Sequence, residues 1–111
     1  MNMAVLLSEK ALEKVAERFA VLAEPLRLKI LYLLRDGEMS VAKLTDAVGT
    51  SQPNMSKHLR ILWEAGILSR EKGGNAVYYS IRDESIYRLC DVVCASLDEK
   101  LRDQAAIFSA V

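Results

Sequence analysis

Residues 51–62 read SQPNMSKHLRIL, and their polar side chains are of the types that read a nucleic-acid surface. Gln52 and Asn54 carry amides that pair with adenine. Lys57 and Arg60 carry cations suited to guanine or phosphate, and Ser51 and Ser56 carry hydroxyls that serve either. On a helical projection of about 100° per residue, Met55, Leu59 and Leu62 fall together. Asn54, Ser56, Lys57 and Arg60 lie opposite, with Gln52 and His58 at the margins. Ser51 and the first-turn amide groups are also placed to meet a phosphate. Most polar stripes are no more than solvated faces, so this one needs support from its surroundings. His58, the single histidine, lacks a neighbouring metal-binding partner and reads as a partly buried helix residue or a phosphate contact.

Cys90 and Cys94 are the second chemical feature. Their i, i+4 spacing puts both sulfurs on one helix face. Cβ atoms at that spacing lie about 5–6 Å apart, against the roughly 3.8 Å a disulfide prefers, so a bond between them would strain the helix. Two thiolates there could hold a thiophilic metal or a metalloid such as arsenite, with a further ligand from a partner helix. Oxidation, or bridging through added sulfur, is another route. The plainer reading is packing, because both cysteines fall within the apolar stripe from Ile86 to Leu101 and free cysteine fills cores as a small hydrophobe. Sensing and packing both stay open. A thiol redox enzyme fits poorly, since Cys-x-x-x-Cys in mid-helix lacks the helix N-terminus that lowers a thiol pKa. No catalytic triad, carboxylate pair or phosphate-binding glycine loop appears, so the chain does not read as an enzyme.

The surrounding pattern supplies what the polar stripe needs. Leu12, Val15, Phe19 and Leu22 at helical spacing predict a first helix capped by Ser8. Leu26, Ile30, Leu33 and Leu34 predict a second, with Pro25 in its first turn and Asp36-Gly37 at its end. Ser40 caps a short third helix with Val41, Leu44 and Val48 inward, stopped by Gly49. Ser51 caps the fourth, and Gly66 closes it. The periodicity then changes. Leu68–Lys72 and Ala76–Ile81 flank Gly73-Gly74-Asn75, which is a hairpin signal. Arg70 and Lys72 in that hairpin are candidate phosphate contacts, and Asn75 at its tip could approach a minor groove. Tyr78 and Tyr79 must face opposite sides of their strand. From Asp83 to about Asp103 the pattern is helical again, and residues 105–111 either extend that helix or fray.

The expected fold is therefore mainly α with a small β-hairpin wing, a winged helix-turn-helix in one domain spanning residues 1–111. Residues 40–65 form the helix-turn-helix and 67–82 the wing, with 1–24 and 83–111 as dimerisation helices. With 51% apolar and 27% charged residues the composition is that of an ordinary globular protein. No segment approaches the roughly 20 apolar residues of a membrane span, so a cytoplasmic protein without a membrane partner is the simplest expectation. Two cysteines are too few for a disulfide framework or a complete zinc site within one chain. Net charge is zero, yet residues 51–82 hold five basic and two acidic side chains. That basic excess falls on the polar helix and the wing, where phosphate contacts would make binding salt-dependent. Double-stranded DNA and a second copy of the chain are the expected partners. A winged-helix interaction module that does not bind DNA is the alternative, to which zero net charge is no obstacle.

Three segments, FAVLAEPLRLKILYLLRDGEMSVAKL, SQPNMSKHLRILWEAGIL and YYSI, resemble the ArsR/SmtB family of small bacterial winged-helix repressors. The resemblance covers roughly residues 19–82 and rests on the Leu22-Ala23-x-Pro25-x-Arg27 opening and the Ser56-x-His58-Leu59 core. It implies a homodimer held by the first and last helices, bound to a palindromic operator and released when a metal ion, metalloid or oxidant is sensed. One family sensing site uses a cysteine pair at the start of the third helix, where this chain has Ser40-Val41-Ala42-Lys43-Leu44. Another uses carboxylates and imidazoles on the last helix. The matching positions here are Asp83, Ser85, Ser96 and Glu99, with both imidazoles replaced by serine. Cys90 and Cys94 remain as the thiol pair.

Overall fold

A serine opens each of three helices. The Ser8, Ser40 and Ser51 hydroxyls accept the backbone N–H groups of Ala11, Lys43 and Asn54 at 3.1, 3.1 and 3.3 Å, satisfying donors that have no partner inside the helix. In a computed structural model describing residues 7–109, and the side chains of 7–104, these caps begin α1 (Glu9–Leu22), α3 (Val41–Val48) and α4 (Gln52–Glu64). Between the first two lies α2 (Pro25–Leu34), whose proline sits in the opening turn where its missing N–H costs nothing. Gly49 ends α3 at φ +76°, in the left-handed region, and turns the chain directly into α4.

The wing consists of β2 (Leu68–Gly73) and β3 (Ala76–Ile81), antiparallel with Gly73 opposite Ala76. Gly74 has φ +61° and Asn75 does not share the positive value, the signature of a two-residue type II′ turn. A two-residue strand, β1 (Met39–Ser40), completes a sheet of order β1-β3-β2, with Met39 opposite Tyr79. The sequence pattern predicts only the hairpin, since two residues are too few to show alternation. The expected last helix is α5 (Ser85–Ser109), starting two residues later than its pattern suggests because Asp83 accepts the Ser85 amide at 3.1 Å ahead of the first turn. Residues 110–111 and most of the Met3–Leu7 run lie outside the described residues.

One core joins these elements. Ile30, Leu31 and Leu34 of α2 meet Leu44 of α3 and Met55, Leu59 and Leu62 of α4, with Ile67, Leu68, Tyr79 and Ile86 closing the far side. The apolar stripe predicted for α4 is fully buried. Tyr79 is the inward member of the tyrosine pair. Three long-range ties fix the flanking helices. Arg18 of α1 donates to the Ala65 carbonyl at 3.1 Å and pairs with Asp83 at 3.6 Å. Tyr87 of α5 donates to the Leu31 carbonyl at 2.8 Å, and burial pushes its hydroxyl pKa up to about 12. Beyond these anchors α1 and α5 leave the core, and every described side chain from Asp91 to Gln104 is exposed.

Candidate nucleic-acid interface

Cross-strand partners share one face of a sheet, and the register aligns Leu68 with Ile81, Arg70 with Tyr79 and Lys72 with Val77. That face begins in the core at Leu68 and runs outward through Arg70 to Lys72. Ser69 and Glu71 take the opposite face, which removes the only acidic residue of β2 from the basic side. Across from it stands the row Gln52, Ser56 and Arg60, spaced four apart along α4. Between helix and wing lies an open groove of about 800 Å³, walled on a third side by Ser40, Val41 and Ala42 at the start of α3. Arg60, Arg70 and Lys72 all line it, and none of its lining residues is acidic.

Six of the ten side chains expected to meet DNA line this groove: Gln52, Ser56, Arg60, Arg70, Lys72 and Asn75. Ser51 is exposed at the N-terminus of α4, its hydroxyl accepting the Asn54 amide. Lys57 is exposed on the same helix outside the groove. Asn54 is half-buried and turns its side-chain amide back to the Thr50 hydroxyl at 2.9 Å. Arg60 is held by Glu64 one turn on, at 2.7 Å, and this hydrogen bond raises the guanidinium pKa further.

Of the two roles open to His58, the fold selects burial. The ring is 6% exposed on the core side of α4, and its Nδ1 accepts the Nε proton of Arg27 at 3.1 Å. Arg27 also donates to the Val21 carbonyl at 3.0 Å, so it ties the end of α1 to α4. Burial first, then the charges of Lys57 and Arg27, hold the imidazole pKa below its ordinary value, with Glu24 pulling the other way. A neutral ring accepting at Nδ1 carries its proton on Nε2.

Trp63 is the groove residue the sequence reading passes over. It lines the wall beside Arg60, and the Arg70 guanidinium lies over its ring at 3.9 Å from the centroid. Its signal is spacing: Gln52, Ser56, Arg60 and Trp63 continue one helical row.

The two thiols lie apart from the groove, on α5. Cys90 is half-buried, Cys94 is exposed, and both are free. Burial pushes the Cys90 thiol up, helped by Cys94 and Asp91, so it stays protonated at neutral pH. Asp83 is engaged by Ser85 and Arg18, and the Ser85 hydrogen bond holds its carboxyl below the ordinary range. An ion at the Asp83, Ser85, Ser96 and Glu99 positions would have to displace those partners and lacks imidazole, so these residues do not fit a zinc site. Among the described residues no group of three or more histidine, cysteine or acidic side chains could hold a metal ion. No described helix is long and apolar enough to cross a membrane.

Residues 24–70 match the model of a family described as bacterial regulatory protein, arsR family. The HTH-type transcriptional regulator Rv0081 of Mycobacterium tuberculosis is 37% identical over 101 residues, 90% of this chain and 89% of the relative. Its crystal structure superposes with a TM-score of 0.81, covering 89% of this chain and 100% of that one. The solution structure of Mb0332 from Mycobacterium bovis, a homodimeric winged helix-turn-helix DNA-binding domain, is 34% identical with a TM-score of 0.72, covering 87% and 92%. The antimony-specific transcriptional repressor AntR is 29% identical with a TM-score of 0.76, covering 88% and 89%.

Proposed function

Because the chain belongs to the ArsR family, and so to DNA-binding transcriptional regulators rather than enzymes, we propose that it is a homodimeric repressor gripping a palindromic operator through the groove between α4 and the wing. The groove's charge carries this reading: three cations from two elements face one concavity that no acidic side chain lines. A duplex seated there would place α4 in the major groove and the wing tip, Asn75, beside it. Gln52, Ser56 and Arg60 would reach base edges. Arg70, Lys72, Lys57 and the Ser51 end of α4 would meet phosphates.

Binding of the parent and its variants to an operator duplex, across a range of salt, tests the assignment. Arg60→Ala and Gln52→Ala are expected to cost about 1–3 kcal/mol each and relax specificity at one base position. Lys72→Ala is expected to weaken all sequences alike and flatten the salt dependence. Parent-like binding by all three would place the DNA surface elsewhere.

The second part of the proposal is that a thiol-reactive ligand at Cys90 and Cys94 releases the operator. Their shared face and the exposure of Cys94 support it. An oxidant or sulfur species could modify these thiols, and a metalloid such as arsenite or a soft metal would bind both sulfurs with loss of their protons. The antimony named for AntR is a ligand of this class. A different reading, packing against a partner subunit, is favoured by the position of both cysteines among the apolar side chains of α5.

A further inference from the structure

Trp63 is the only tryptophan in the chain, and it is 37% exposed on the groove wall. An indole half open to water contributes little to the core, so its presence there asks for another role. The three groove cations are not held alike. Arg60 spends its Nε on Glu64, whereas Arg70 forms no ion pair among the described residues and rests its guanidinium face on Trp63. Stacking uses the flat face of a guanidinium and leaves its in-plane N–H fork free, while a carboxylate occupies that fork. Arg70 therefore waits in the groove with its rotamer restricted and its phosphate-binding donors unspent.

We propose that Trp63 is a positioning residue that holds Arg70 of the wing ready for a DNA phosphate and thereby couples the wing to the reading helix. This rests on the groove being the DNA interface. A stacked arginine has already lost much of the freedom that a mobile one must give up on binding. The role is specific to arginine, because the compact ammonium of lysine lacks the planar face and the fork.

A double-mutant cycle tests it, using the full chain and a fluorescein-labelled duplex selected by the parent protein from a random pool. Trp63→Ala and Arg70→Ala are each expected to weaken binding by about three- to ten-fold and to remove about one phosphate's worth of salt dependence per protomer. The double variant should be no weaker than Arg70→Ala alone, since two residues acting as a unit do not add. Trp63→Phe, which keeps an aromatic face, should recover most of the affinity and the salt slope. Arg70→Lys should not. The losses adding in the double variant, or a parent-like salt slope for Trp63→Ala, would overturn the proposal. Arg60→Ala and Lys72→Ala separate its failure from that of the interface. If both weaken binding while Trp63→Ala does not, only the positioning role falls; if neither does, the groove is not the interface and both readings fall. The single tryptophan adds a direct readout, because a duplex seated in the groove must change its emission.

Discussion

At the scale of single residues, charge in this protein is arranged by what each group is allowed to touch. His58 sits beside two cations and inside the core, so it is held neutral, and its value to the fold depends on staying so. The unfolded chain takes up a proton near pH 6.5, and the folded chain only at lower pH. Stability therefore rises with pH across that window: the contribution is complete above 6.5 and is lost as pH falls through the lowered folded value. Thermal melts from about pH 7.5 down to about pH 5.5 are expected to show a falling Tm well before carboxylates protonate. His58→Gln keeps an acceptor for Arg27 but cannot titrate, and should flatten that limb. An unchanged pH profile in the variant would mean that the ring is not the titrating group.

At the scale of elements, the turn between α3 and α4 sets how α4 stands against the groove wall. Gly49 adopts φ +76°, and a Cβ placed there would meet nothing within 4 Å. The penalty for any side chain is then backbone strain alone, about 1–2 kcal/mol for Gly49→Ala. Asparagine tolerates this conformation better, so Gly49→Asn should cost less, and Gly49→Val more. Urea denaturation should return that order. Equal losses for all three would show that the turn relaxes to a different conformation when the glycine is replaced.

At the scale of the whole molecule, the radius of gyration is 17.2 Å, against about 13 Å for a compact chain of this length. The excess comes from α1 and α5, whose apolar rows Leu12, Val15 and Phe19, and Val93, Leu97 and Leu101, are exposed. Rows of this kind on an otherwise well-packed chain mark an interface. Sedimentation should find a dimer at roughly tens of micromolar protein, and Leu97→Glu combined with Leu101→Glu should shift it towards monomer. A monomeric parent would leave those rows unexplained. In the proposed dimer, Cys90 and Cys94 would lie on the helix that joins the two halves, so a ligand there could act only through a different affinity for the bound and released arrangements. A 100-fold loss of DNA affinity requires about 2.7 kcal/mol of such coupling. With arsenite or cadmium added to an operator complex, the parent is expected to release DNA. Cys90→Ser combined with Cys94→Ser should stay bound while keeping the parent's basal affinity. A parent that ignores both ligands would leave the cysteines as packing residues.

The parts that obey local rules are legible in the order of the residues alone. Serine caps, the proline-opened helices, the Gly49 stop and the Gly73-Gly74-Asn75 turn depend on a few adjacent residues, and the buried stripe of α4 follows from helical periodicity. The polar row of α4 was legible for the same reason, as was the basic character of the wing. What the local pattern could not specify is which side chains meet across long stretches of chain. Arg27 reaches His58, Arg18 reaches the Ala65 carbonyl, Tyr87 reaches the Leu31 carbonyl, and Met39–Ser40 adds a strand to the wing. Only tertiary packing turned His58 inward. It also split the charges of β2 so that Arg70 and Lys72 share the groove while Glu71 leaves it. Trp63 shows the difference most directly: its place in the helical row is local, but its hold on Arg70 exists only because the wing folds back against α4.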